Sequence, residues 1–408
     1  MRFKQICRLV KLMHQCFGLL LMVILLLSCL TGLLLVFKDE VDYLINRDMM
    51  WLAEPESSKI SRLSLEQIEL QIKQRYPNSR VSWFDLKPAH QRAAIYWLSG
   101  QAHLETGQYI APEHNQIFID LSTGEILGGR RWGDWRSPLV NLMPLTYQLH
   151  YSLMLGVGGA KALGIACLFW LLQMLLGLYL TWPKGRSIGF VQQGYKWLGY
   201  WRFRKGRSEF QARYFRHRWL GLWLSPMMLV FVLSGLAFNL KPLYFAVTDL
   251  FLNRQTAHLT LASTPFMQHI PMSSDQALQH GRALMVELAA QRDFQIVAPV
   301  GLSYSPYSGH YLYRVHSELD VSGDYARTSI WFDALNGEMK AVYIPTGEFA
   351  VDSFTSWISA LHMAKAGLWS KGFVILSALA VLLLLVSGVR VMVLKAKRHS
   401  LWFFVKSC

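Results

Sequence analysis

Residues 14–37 read HQCFGLLLMVILLLSCLTGLLLVF, and residues 217–240 read HRWLGLWLSPMMLVFVLSGLAFNL. In each, a histidine is followed by a glycine after 4 residues and by another after 18: His14, Gly18 and Gly32, then His217, Gly221 and Gly235. Neither Cys16–Phe37 nor Trp219–Leu240 holds a charged residue. Each is long enough to cross a hydrocarbon core, which takes about 20 apolar residues. Two further stretches qualify, Ala162–Trp182 and Phe373–Leu394, the second with Arg390 near its end. Both follow a Leu-His pair, Leu149-His150 and Leu361-His362, and both hold a late glycine, Gly177 and Gly388.

The segments between the spans repeat as well. Ser64-Leu65-Glu66-Gln67 and Ser273-Ser274-Asp275-Gln276 are capping-box patterns. Each opens an amphipathic helix, over 64–76 and 273–290. Strand-like runs follow: Arg80–Leu86, Ala93–Leu98 and Gln116–Leu121 in the first copy, Phe294–Ser303, His310–His316 and Thr328–Phe332 in the second. Each last run enters an Asp-x-x-[Thr/Asn]-Gly-Glu turn, at Asp120–Glu125 and Asp333–Glu338, where glycine accepts positive φ cheaply. The pattern predicts an internal duplication in an α-helical membrane protein with four transmembrane helices and two external α+β domains. The expected order is a basic segment and span over 1–37, an external domain over 38–145, and a histidine-bearing interfacial helix and span over 146–182. A basic loop over 183–218 follows, then a span over 219–240, an external domain over 241–352, a histidine-bearing helix and span over 353–394, and a tail over 395–408.

Composition agrees. The 408 residues are 52% apolar, 13% aromatic and only 16% charged, against about 25% charged for soluble chains. Intrinsic disorder is excluded by that apolar and aromatic content. Five cysteines (Cys7, Cys16, Cys29, Cys167 and Cys408), none in an external segment, exclude a disulfide scaffold. Leu26-Leu27-Ser28-Cys29 resembles a lipobox, but the equivalent Phe231-Val232-Leu233-Ser234 has no cysteine, so shared helix chemistry accounts for both. A cleaved signal peptide is disfavoured by the length of the first apolar run.

Segments 1–13, 183–218 and 390–408 hold 19 of the 41 Lys and Arg, and one acidic residue, Glu209. The positive-inside rule then puts both termini and the middle loop in the cytoplasm, and both large domains outside. The net charge of +15 is a matter of topology and anionic membrane lipid, not nucleic acid.

These residues carry a family resemblance. The paired His/Gly/Gly patterns, the Leu-His before each returning span and the Asp-x-x-[Thr/Asn]-Gly-Glu turns resemble the PepSY-associated transmembrane proteins, over about residues 10 to 394. That group contains iron-regulated inner-membrane proteins and siderophore reductases. The resemblance implies four membrane helices, two periplasmic PepSY domains, haem held by histidine between the helices and, for some members, reduction of ferric siderophores in a bacterial inner membrane. Members fused to a flavin reductase exist; no GxGxxG follows a strand here, so electrons are expected from a separate donor, a quinol or a cytoplasmic reductase.

Four histidines recurring at equivalent places read as cofactor ligands: His14, His217, His150 and His362. His14 to Gly32 rises about 27 Å as helix, so an inner histidine cannot share an iron with an outer one. The expected pairs are His14 with His217 and His150 with His362, holding two haems. A b-type haem is expected, because no Cys-x-x-Cys-His is present. Gly18 and Gly221 would let a flat macrocycle approach, and Arg216, Arg218 and Arg390 would meet the inner propionates. The outer pair requires a break between histidine helix and span that folds the histidine back to the membrane surface.

Other chemistry is poorly supported. Zinc or copper spacings are missing, as are Gly-x-Ser-x-Gly and a P-loop. His310 and His316 read as solvated, and His90, His103 and His114 scatter. Met227-Met228 reads as packing. Trp132, Trp135, Trp331 and Trp357 read as interfacial anchors, with a groove lining as the alternative. The expected function is haem-dependent reduction of a ferric siderophore or other ferric chelate. The rivals are a non-enzymatic membrane protein binding a peptide or protease through its PepSY domains, and a transporter component.

Overall fold

In a computed structural model, described for residues 3–52, 63–86, 92–102, 109–183, 189–255, 271–306 and 308–406, four helices are long and apolar enough to cross a membrane. In chain order the helices begin with α1 (Phe3–Leu35), α2 (Lys38–Ile45), α3 (Arg47–Met50), α4 (Leu65–Arg75), α5 (Leu142–Ser152) and α6 (Gly156–Thr181). They continue with α7 (Phe190–Leu198), α8 (Glu209–Asn239), α9 (Lys241–Thr248), α10 (Ser274–Arg292), α11 (Ala350–His362) and α12 (Leu368–Lys406). The spanning helices are α1, α6, α8 and α12. Each of α1 and α8 packs against both α6 and α12, so α1 and α8 face each other diagonally across a four-helix bundle.

Short helices α5 and α11 precede the returning spans, with breaks after both. Leu153 (φ 54°), Met154 (φ 61°) and Gly156 (φ 58°) turn the chain after α5, and Ala364 (φ 54°) and Gly367 (φ 91°) turn it after α11. The expected break is present, but it starts on residues with side chains. The residue after the first left-handed one closes the last turn of each helix: Met154 N–H, after Leu153, donates to the Gln148 carbonyl (3.3 Å), and Lys365 N–H, after Ala364, to the Ala360 carbonyl (2.8 Å).

The strands are β1 (Ser79–Asp85), β2 (Ala94–Ala102), β3 (Tyr109–Ile110), β4 (Gln116–Ile119), β5 (Ile126–Arg130), β6 (Ile296–Ser305), β7 (His310–Ser317), β8 (Ser329–Asp333) and β9 (Met339–Tyr343). All six expected runs are strands; β3, β5 and β9 are additional. β5 holds Gly128 and Gly129 and β9 holds Lys340, which hides the alternation that marks a strand. The strands form one sheet in the order β5-β4-β2-β1-β6-β7-β8-β9, with β3 on β2. The two segments between the spans therefore do not stand apart. Antiparallel pairing of β1 with β6, through Trp83–Ser303, Phe84–Leu302 and Asp85–Gly301, joins them edge to edge.

One face of this sheet is covered by α4 and α10. Ile68 and Ile72 of α4 and Met285 and Leu288 of α10 share a core with Tyr96, Ile117, Leu302 and Phe332. The helices also cap each other: Asp275 on α10 accepts from the backbone N–H of Leu65 (2.9 Å) and Glu66 (3.3 Å), and the Ser274 hydroxyl donates to Glu69 (2.6 Å). Both expected capping boxes form, at Ser64 and Ser273. Ser273→Ala is expected to cost about 1 kcal/mol, read as a lower apparent melting temperature of the purified protein. The expected turns form with Gly124 and Gly337 at φ 76° and 74°.

Candidate functional site

The four spanning helices and the two short ones bring the four histidines into two pairs. The His14 and His217 ring centres lie 6.4 Å apart, at the end of the bundle remote from the sheet. Those of His150 and His362 lie 6.1 Å apart at the sheet end. The two pairs are separated by the length of α1, since Gly32 of that helix lies beside His150.

Every one of these rings has its Nδ1 engaged. His14 Nδ1 bonds to the Gln173 carbonyl (3.3 Å), His150 to Thr31 Oγ1 (2.9 Å), His217 to Ser387 Oγ (2.9 Å) and His362 to Ser234 Oγ (2.6 Å). The hydroxyls are not free donors. Thr31 already donates to the Leu27 carbonyl (2.7 Å), Ser234 to Val230 (2.7 Å) and Ser387 to Leu384 (2.8 Å). A hydroxyl has one proton, so each must accept from its histidine, as a carbonyl must. All four imidazoles are thereby set as the Nδ1–H tautomer, with the Nε2 lone pair left for a ligand. Burial holds His150 down to about 4 and His362 down to about 3, which keeps both neutral.

These hydroxyls were not expected from the sequence. The signal is present nonetheless: Thr31, Ser234 and Ser387 each stand directly before Gly32, Gly235 and Gly388. The fourth copy is Leu176-Gly177, and there the backbone of Gln173 takes over. Three of these glycines make room for the rings. A Cβ at Gly177 would lie 3.1 Å from His14 Cε1, one at Gly388 3.2 Å from His217 Cε1, and one at Gly32 3.4 Å from His150 Cε1. Gly235 instead admits Cys167.

Around His14 and His217 lies a cavity of about 350 Å³, lined mostly by apolar side chains including Leu21, Leu222 and Met228, with Gly18 and Gly221 in its wall. Lys11, Arg218 and Lys395 are among its lining residues. Of the three expected propionate partners only Arg218 lines it; Arg216 and Arg390 are exposed. Helix rotation decides this, since neighbours one residue apart point about 100° apart.

Such a pair of neutral imidazoles suits haem iron, whose other four ligands come from the macrocycle. His14 with His217 would hold one such group and His150 with His362 another. A structural zinc site takes four protein ligands, and no cluster of three or more His, Cys, Asp or Glu exists among the described residues.

The remaining histidines and tryptophans divide differently from expectation. His310 is buried and His316 half-buried, because β7 is an interior strand between β6 and β8; neither is fully solvated. His114 packs against Tyr76, while His90 and His103 lie outside the described residues. Trp135 and Trp357 are exposed. Trp132 is instead wedged between Trp97 and Tyr147 (6.0 Å from each), and Trp331 sits in β8 paired with Leu312.

Fold and site define an α-helical membrane protein with a four-helix bundle, two internal histidine pairs and an extramembrane sheet. The sequence profile of the PepSY-associated TM region matches residues 12–395. The chain belongs to that family. A comparison with curated proteins gives no match.

Proposed function

We propose that the chain is a haem-binding electron-transfer protein of a bacterial inner membrane, built by duplication, that reduces a ferric siderophore or another periplasmic ferric chelate and so releases iron. The observation that carries this reading is the two histidine pairs at opposite ends of the bundle, each ring aimed by a bond at Nδ1. His14 with His217, and His150 with His362, would each hold one b-type haem. Haem supplies reversible one-electron chemistry. The protein's own work is to orient four imidazoles, exclude water with the apolar bundle and offer basic side chains to the inner propionates. Lys11, Arg218 and Lys395 are placed for the last task. In this reading the sheet is a pair of PepSY-like domains in the periplasm, both termini are cytoplasmic, and a quinol or cytoplasmic reductase supplies the electrons.

The test is the absorption spectrum of the detergent-purified protein, produced with ample haem. A Soret band, sharp α and β bands on dithionite reduction and two haems per chain by pyridine haemochrome are expected. A colourless protein would sink the proposal and favour the peptide-binding rival.

A further inference from the structure

The sheet face turned away from α4 and α10 looks towards the outer histidine pair, and two series of contacts climb to it. From the His150 helix, Tyr147 meets Trp132, and Trp132 meets Trp97. Trp97 pairs across the strands with Trp83. From the His362 helix, Ala360, Leu361 and Met363 pack on Tyr325. Arg327 lies over the Tyr325 ring (4.8 Å), and Arg314 lies over the Trp83 ring (5.3 Å). The two series thus converge above His150 and His362, at the junction of β1 with β6. There Trp83, Trp97, Arg314 and Arg327 are all half-buried, reachable from outside but partly shielded from water.

Neither arginine forms an ion pair among the described residues. Arg314 keeps one hydrogen bond, from Nε to Ser329 Oγ (3.2 Å). Burial, reinforced by Arg327 beside it, disfavours its charge. Asp320 lies close enough to favour the Arg314 charge but pairs directly with neither arginine, because its oxygens are held by other donors. Asp320 accepts from the backbone N–H of Ser317, Arg327 and Thr328 and from the hydroxyls of Ser317 and Thr328. Asp85 accepts from the backbone N–H of Ile95. Two adjacent half-buried cations with indole faces beside them are costly until an anion arrives.

We propose that this face, centred on Trp83, Trp97, Arg314 and Arg327, binds an anionic aromatic ferric chelate of the tris-catecholate class above the outer histidine pair. The proposal rests on the electron-transfer reading for its choice of a ferric ligand. Three catecholates leave ferric iron with a net negative charge, which guanidinium groups recognise by charge-assisted hydrogen bonds. Their flat rings stack on indole, and the arginines add cation–π contact. A ferric trihydroxamate is neutral and without aromatic rings, so it gains little here.

Gallium(III) chelates test this, because gallium(III) replaces iron(III) but is not reduced, so binding is read apart from electron transfer. The full chain in nanodiscs would be titrated with a gallium tris-catecholate and a gallium trihydroxamate, following tryptophan fluorescence and calorimetry. The catecholate is expected to bind at least about tenfold more tightly, with affinity falling as salt rises. Arg314→Gln and Arg327→Gln are each expected to weaken it about tenfold, with Arg314→Lys recovering part of the loss. Lys340→Gln, on β9, is expected to change nothing. Equal affinity for the two chelates, preference for the hydroxamate, no binding of either, or unaltered affinity in both Gln variants would each overturn the proposal. A colourless protein that still bound the catecholate would sink the electron-transfer reading and leave this site standing.

Discussion

Replacing His362 by alanine is expected to halve the reduced α-band per chain and leave one haem. The ring is buried at the sheet end of the bundle, 6.1 Å from His150, and Ser234 fixes its tautomer. Among the described residues the second histidine pair stands about 27 Å away along α1 and cannot substitute. His14→Ala is expected to remove the other haem, and the double variant to be colourless. The haem that remains in each single variant reports that the bundle has folded, so loss of colour is not mistaken for unfolding. An unchanged α-band in His362→Ala would exclude that residue as a ligand, and with it the two-haem arrangement.

The second large effect is on stability. Arg130, at the end of β5, is buried and makes four side-chain hydrogen bonds among the described residues. Its guanidinium reaches both carboxylate oxygens of Asp42 on α2 (2.7 Å each), Gln116 Oε1 (2.7 Å) and the Val140 carbonyl (2.9 Å). Asp42 follows α1 closely, so this pair fastens the sheet to the first spanning helix. Asp42→Ala would strand a charge whose side chain is only 4% exposed. Breaking such a pair costs about 3–5 kcal/mol, or about 10 °C in the apparent melting temperature of the extramembrane part. The double variant Asp42→Leu/Arg130→Met is expected to recover most of that loss, since two apolar side chains leave no charge unpaired. A single variant as stable as the parent, measured by differential scanning fluorimetry in detergent, would contradict this account.

The candidate ligands were legible because they are part of a repeated pattern. His14 and His217 stand at matched distances from matched glycines, and His150 and His362 each follow a leucine before a span. Their separation followed from helix rise alone. Their aiming groups were not legible. Thr31 and Ser234 stand within apolar runs, where a hydroxyl commonly back-bonds to its own helix; both do so, and their second role appears only when another helix brings a histidine alongside. Arg216 and Arg390 were misassigned for a related reason. A basic residue near a helix end has a plausible charge, but helix rotation decides whether it meets the cavity, and Lys11 and Lys395 do so beside Arg218.

The spans, the breaks before the returning helices, the capping boxes and most strands depend on residues close together in the chain. Hydropathy, alternation and turn chemistry record such properties directly. The joining of β1 to β6, the burial of Arg130 against Asp42 and the meeting of Arg314 with Trp83 bring together segments between 88 and more than 200 residues apart. Trp132 and Trp331, read as membrane anchors, belong to that second group. An aromatic side chain gains about as much from burial against other rings as from a membrane interface, and only the packed sheet and helices settle which of the two it finds.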